Sequence, residues 1–204
     1  MTATTDPADI AQTRQNEPSD LPGRSDQGRS DKTAVERLGE FAGPDLHDLC
    51  DAAEAAILHG GGFGWLRPPP RHTMEAYWKG VLVVPERELF VARLERTIAG
   101  SAQLLRPPRN NEARAMVGQF TTSFIAPWAR GHGLARMLLL GVEEAARAAG
   151  LQVLNLDVRE TQDAAIRLYE STGYRRWGTL PRYALVDGRW IEGHFYTKDL
   201  RDEA

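Results

Sequence analysis

The chain has 204 residues, 42% of them hydrophobic, with 25 basic and 28 acidic side chains and a formal net charge of −3. That length suits one domain with a tail and excludes gross disorder, and the slight acidity removes the basic footprint of a dedicated nucleic-acid binder. No stretch reaches the roughly 20 apolar residues of a membrane span, and the first nine residues lack both positive charge and an apolar signal region. A cytoplasmic protein is therefore expected, with the single Cys50 as a small buried thiol rather than half of a disulfide. His47, His59, His72, His132 and His194 show no metal-ligand helical spacing, so no metal is expected.

Residues 1–30 hold almost no large apolar side chain beyond Ile10 and Leu21, which predicts a disordered tail ahead of a folded domain over 31–204. Ala34 to Leu38 predicts a short first strand. A helix starts at Gly43-Pro44-Asp45, buries Leu46, Leu49, Cys50, Ala53, Ala56 and Ile57 at helical spacing, and stops at Gly60-Gly61-Gly62. The loop through Phe63, Gly64, Trp65 and Pro68-Pro69-Pro70 combines backbone freedom with rigid prolines, and Thr73 is placed to cap a second short helix carrying Met74, Tyr77 and Trp78.

Glu88 to Leu94 and Ile98 to Leu105 predict a hairpin around Glu95-Arg96, and Ala113 to Ala126 a longer strand stopped by Pro127. Leu134, Met137, Leu138, Val142, Ala145 and Ala149 form a helical stripe closed by Gly150, with Arg136, Glu143, Glu144 and Arg147 on other faces. Leu151 to Val158 reads as a central strand covered on both faces. A helix from Gln162 to Thr172 follows, capped by Thr161 and closed by Gly173, and two last strands flank Asp187-Gly188 and finish at Tyr196.

The chemistry is concentrated in the turn Pro127-Trp128-Ala129-Arg130-Gly131-His132-Gly133-Leu134-Ala135. Gly131 and Gly133 leave the main chain open, so consecutive N–H groups and the first donors of the helix, at Leu134, Ala135 and Arg136, can converge on a phosphate, with Arg130 adding charge. Read as a dinucleotide fingerprint, the segment offers Gly131-x-Gly133 and, on the next strand, Asp157 as a ribose-binding acid. Arg136 then stands where a small residue should pack, and the motif follows antiparallel hairpins instead of opening the domain, which weighs against a dehydrogenase.

The pattern Arg130-x-x-Gly133-x-Ala135, after a strand ending Phe124-Ile125-Ala126-Pro127, resembles the acetyl-CoA pyrophosphate motif of the GNAT superfamily of N-acetyltransferases. Asp163-Ala164-Ala165-Ile166-Arg167-Leu168-Tyr169-Glu170-Ser171-Thr172-Gly173-Tyr174 looks like that superfamily's late helix, with a tyrosine four residues before a glycine and an aromatic. The resemblance extends from about Thr33 to Leu200 and is most specific between Phe120 and Tyr174. Gly60 to Gly64, Ala76-Tyr77-Trp78, Ala99 to Leu104, Gly178 to Tyr183 and Phe195 to Leu200 also look like the tabtoxin-resistance acetyltransferases, which acetylate a small amino-acid-like toxin.

The resemblance implies an α/β fold with a central mixed, mostly antiparallel sheet whose middle strands splay and which helices flank. It implies an acetyl-CoA-dependent enzyme that acetylates a small amine directly, with the pantetheine arm along Ser123, Phe124 and Ile125 and the pyrophosphate at Arg130, Gly131, His132, Gly133, Leu134, Ala135 and Arg136. Gln162 stands where the family often contacts the cofactor. The helix tyrosine, Tyr169, is implied as the proton donor to the departing thiolate. Met116 to Ala126 contains no carboxylate, so Glu112, Asp157, Glu160 or a water chain is left as the base. Trp65, Tyr77, Trp78, Arg182 and Tyr183 are candidates for the acceptor wall. A homodimer stays open, and a catalytically silent CoA-binding sensor is the rival reading.

Overall fold

The computed structural model describes residues 32–61 and 64–201, and the predicted tail lies outside them. Seven strands form one sheet: β1 (Thr33–Leu38), β2 (Arg87–Leu94), β3 (Thr97–Leu105), β4 (Val117–Ile125), β5 (Val153–Arg159), β6 (Arg175–Val186) and β7 (Arg189–Asp199), in the order β1-β2-β3-β4-β5-β7-β6. Every neighbouring pair is antiparallel except β4 and β5. Four helices complete the fold: α1 (Asp45–Leu58), α2 (Arg71–Val83), α3 (Leu134–Ala148) and α4 (Asp163–Ser171).

Strand alternation gives the sheet two buried faces. Leu89 and Val91 of β2 point into a core beneath α1 and α2, built around Leu49, Cys50, Ala53, Ile57, Met74 and Trp78. Phe90 and Ala92 point the other way, into a core closed by Leu134, Leu138 and Val142 of α3 and by Tyr169 of α4. Cys50 is the buried thiol expected, and burial pushes it up to about 11, which leaves it unreactive at neutral pH.

The hairpin turns at Glu95-Arg96 and Asp187-Gly188 form where the sequence placed them, all four residues having positive φ as a two-residue hairpin requires. Other expectations are corrected. The second helix starts at Arg71 behind Pro70, not at Thr73, because Pro70 keeps an extended ψ of 144° and ends the loop. Glu112–Arg114 is a 3-10 turn outside the sheet, so β4 begins only at Val117. Thr161 does not cap α4; Gln162 takes that position without a side-chain cap. The last strand runs past Tyr196 to Asp199, paired with β5 from Gly193 to Asp199. Glu143, read on an outer face of α3, is fully buried, where Lys198 donates to its Oε2 at 2.9 Å.

The largest correction concerns β5, which is not covered on both faces. Leu154, Leu156 and Val158 are buried, whereas Val153, Asn155, Asp157 and Arg159 are half-buried. The core beneath α1 and α2 contains no β5 residue, so on that side β5 becomes the floor of a groove.

Candidate active site

Two features of β4 open the cleft. Its pairing with β5 is limited to Val117, Gly118 and Gln119 against Val153, Leu154 and Asn155. Beyond Gln119 the two strands part, and the β4 backbone on that side has no strand partner among the described residues. A bulge follows, with two β4 residues, Thr122 and Ser123, opposite Ala102 alone, and Thr122 at φ +52°. The extra residue bends the strand.

A cavity of about 660 Å³ fills the gap and is lined by Ser123, Phe124, Ile125, Arg130, Gly131, Gly133, Leu134, Ala135, Arg136 and Gln162, with Tyr169 at its inner end. Gly131 and Gly133 have φ of +84° and +78°, a conformation that side chains disfavour. α3 begins directly after them, and its first N–H groups lack carbonyl partners inside the helix. The Phe124 ring is buried against Trp78, with centroids 6.2 Å apart. The His132 ring does not line the cavity; its Nδ1 lies 3.2 and 3.1 Å from the carbonyls of Ala129 and Arg130. Gln162 donates from Nε2 to the Gly60 carbonyl at 3.1 Å and so ties the start of α4 to the end of α1.

A second cavity, of about 620 Å³, lies on the groove side of β5 and is lined by Phe120, Thr121, Thr122, Ser123, Asp157, Arg159, Gln162, Tyr169, Tyr183 and Leu185, among others. The two cavities share Ser123, Gln162, Ala165 and Tyr169. Tyr169 therefore stands at their junction. Burial pushes its phenol up to about 12; the Ser123 side chain acts against that rise and the Asp157 carboxylate adds to it. The ring is fixed by edge contact with Phe120 at 6.0 Å and by Tyr174 and Tyr196. The residue is thus both core aromatic and cavity wall.

Asp157 is held from two sides. Gln119 Nε2 donates to its Oδ1 at 3.2 Å, and the Tyr183 hydroxyl donates to Oδ2. Tyr183 can lie this close because β7 carries Gly193 beneath it; a Cβ there would sit 2.2 Å from Tyr183 Cγ. Burial, reinforced by Asp157, raises the Tyr183 phenol well above its ordinary value, so it remains a donor.

The other candidate bases are elsewhere. Glu112 is exposed on the turn before β4, and Glu160 Oε1 accepts from the Glu192 N–H at 3.1 Å. Of the proposed acceptor wall, Tyr183 alone lines this cavity. Trp78 is fully buried core, and Tyr77 packs edge-on to Trp65 at 5.1 Å and accepts from Gln103 Nε2 at 3.2 Å. Arg182 is exposed, 6.0 Å from the centroid of the Trp190 ring. Thr121, Arg159 and Leu185 were missed; the polar-apolar alternation Leu154-Asn155-Leu156-Asp157-Val158-Arg159 is the signal that marks a groove-facing side of β5.

This architecture fits acetyl-CoA: an unpaired strand edge long enough for an extended arm, a glycine turn at a helix start for a diphosphate, and a buried phenol where the two cavities meet. The comparisons with known proteins agree. The model of the acetyltransferase (GNAT) family matches residues 51–174, more than half of the chain. An uncharacterized N-acetyltransferase from the hisH-hisA intergenic region of Azospirillum brasilense is 59% identical over 156 residues, 76% of this chain and 90% of that protein. The L-methionine sulfoximine/L-methionine sulfone acetyltransferase of Salmonella typhimurium is 30% identical over 81 residues, 40% of this chain and 47% of its own length. The Salmonella typhimurium protein yncA, solved with its cofactor acetyl-CoA, shares the fold at a TM-score of 0.67 and 21% identity, covering 85% of this chain and 96% of that one. By this kinship the chain belongs to the GNAT family of N-acetyltransferases and takes its acetyl group from acetyl-CoA.

Proposed function

We propose that the enzyme acetylates the amine of a small molecule held in the cavity beside β5, with Tyr169 as proton donor to the departing thiolate and Asp157 as proton acceptor. The observation that carries this reading is the junction itself. A cleft suited to the cofactor and a separate polar cavity meet at Ser123, Gln162 and Tyr169. The second cavity, about 620 Å³, has the size of a small-molecule site.

Bound acetyl-CoA supplies an activated acetyl thioester. An amine attacks it only when neutral, and Asp157 is the carboxylate lining the acceptor cavity. Each of its oxygens accepts one described hydrogen bond and keeps a second lone pair for the substrate. On the other side of the bond being broken, the raised Tyr169 phenol stays protonated at neutral pH and gives its proton to the sulfur. The cofactor's diphosphate is assigned to the main-chain N–H groups of Gly131 to Arg136, with Arg130 beside them and Gln162 closing the cavity. The relative that acts on methionine sulfoximine, an amino-acid-like amine, agrees with a small polar acceptor.

The test is thiol release from acetyl-CoA across amino acids, polyamines, amino sugars and short peptides, with Tyr169→Phe and Asp157→Asn beside the wild type. A small amine should be turned over, and both variants should lose turnover while retaining acetyl-CoA affinity. Acetylation of peptides alone would overturn the small-molecule reading. Unchanged turnover in Tyr169→Phe would remove its acid role, whereas acetyl-CoA binding with no turnover of any amine by the wild type would favour the silent sensor.

A further inference from the structure

The face of β5 that floors the acceptor cavity extends beyond it to Asn155. Residues two apart on a strand share a face, so Asn155 lies about 7 Å from Asp157 on the same side of β5. Cross-strand pairing sets Arg87 opposite Leu105, Leu105 opposite Gln119, and Gln119 opposite Asn155, in one row across four strands. Over this row lies a separate hollow of about 430 Å³. Gln119 belongs to both regions: it lines the hollow, and its amide donates to Asp157.

The hollow is basic. Arg87, Arg106 and Arg114 line it, against one carboxylate, Glu86. Arg87 is built in: its Nη1 donates at 2.6 Å to Oε1 of Gln103, which is fully buried and anchored in turn on the Tyr77 hydroxyl. One N–H of the guanidinium is thereby fixed, and its other N–H groups have no hydrogen-bond partner among the described residues. Arg106 is engaged by Glu88 at 3.2 Å, and the exposed Arg114 makes no ion pair among the described residues. A held arginine with a second free one in a concave site is suited to an oxyanion.

We propose that this hollow takes the anionic end of the acceptor, so that the substrate is an elongated amine with its nitrogen at Asp157 and a carboxylate or phosphate at Arg87 and Arg114. The proposal rests on the acceptor cavity assigned above. Gln103 and Asp157 stand on strands two spacings apart, about 10 Å. Arg87 holds its guanidinium against Gln103, so an acceptor reaching from Asp157 to that guanidinium must be a chain several bonds long.

The experiment compares kcat/KM for 5-aminopentanoate, 3-aminopropyl phosphate and pentylamine in the wild type, Arg87→Met and Arg114→Ala, with acetyl-CoA affinity as the control for folding. The wild type should prefer at least one anionic amine to pentylamine by about tenfold or more, and the two anionic arms tell carboxylate from phosphate. That preference should fall about tenfold in Arg87→Met and about threefold in Arg114→Ala, carried by KM. Arg114 is exposed, so its variant decides the matter if Arg87→Met does not fold. A wild type that uses pentylamine as well as the anionic amines, or variants that leave the preference intact, would overturn the proposal and leave the small-amine reading standing. So would inertness of all three probes while another amine in the broader screen reacts. A blank across the whole screen, with acetyl-CoA still bound, would overturn both.

Discussion

The turn at Gly131–Gly133 and the cavity beside β5 are made from different materials. The turn offers main-chain N–H groups, set by two positive φ angles and the start of one helix within a few consecutive residues. The cavity offers side chains: Thr121 from β4, Asp157 and Arg159 from β5, Tyr183 from β6, with Gly193 of β7 making room. A site made of backbone tolerates changes of side chain but not of conformation. A site made of side chains has the opposite weakness, and it is the part to which we assign the acceptor.

Substitutions can separate the two regions. The largest effect is expected from Gly133→Val, which forces a β-branched residue to φ +78° and narrows the approach to the helix start. Loss of two charge-assisted hydrogen bonds would weaken acetyl-CoA binding about 100-fold or more by calorimetry, while the acceptor cavity keeps its shape. Tyr169→Phe should instead lower kcat by about 10²- to 10⁴-fold with acetyl-CoA affinity unchanged, as measured by thiol release. Because the folded phenol is raised to about 12, Tyr169 stays protonated throughout the neutral and mildly alkaline range, as the proposed acid role requires. Loss of that proton should therefore reduce kcat only above about pH 11, a limb that Tyr169→Phe abolishes.

Tyr183→Phe removes one donor from Asp157 without emptying the cavity. A loss of about tenfold in kcat/KM for the amine is expected, with KM for acetyl-CoA untouched, and Gly193→Ala should reproduce it by displacing the same ring. The smallest change belongs to Gln162→Ala. Its amide touches both cavities but donates to the Gly60 carbonyl, so a loss of only about threefold in acetyl-CoA affinity is expected.

The same contrast explains what could be read in the chain beforehand. The glycine turn, α3 and Tyr169 four residues before Gly173 are local patterns, and they stand in the structure at the positions their spacing implied. Asp157 was visible only as one carboxylate of three, because the contacts that distinguish it come from Gln119 and Tyr183, 38 and 26 residues away. Trp78 was misread as acceptor wall since an aromatic on an amphipathic helix carries no mark of which side the cleft will be on; packing against Phe124 decided it. The groove face of β5 could have been read from its strict alternation, but the apolar Leu154, Leu156 and Val158 dominate that stretch and hide the polar partners between them.

Strand pairing joins β4 to β5 at three residue pairs among the described residues, so the two halves of the sheet meet along a seam shorter than either strand. Anything lodged in the gap serves as a brace across that seam. Acetyl-CoA at about 100 times its dissociation constant should add about 2.7 kcal/mol against unfolding. The gain should register first as slowed amide exchange from Phe120 to Ile125, where the strand has only one flank secured, and least in the β6–β7 hairpin at the rim.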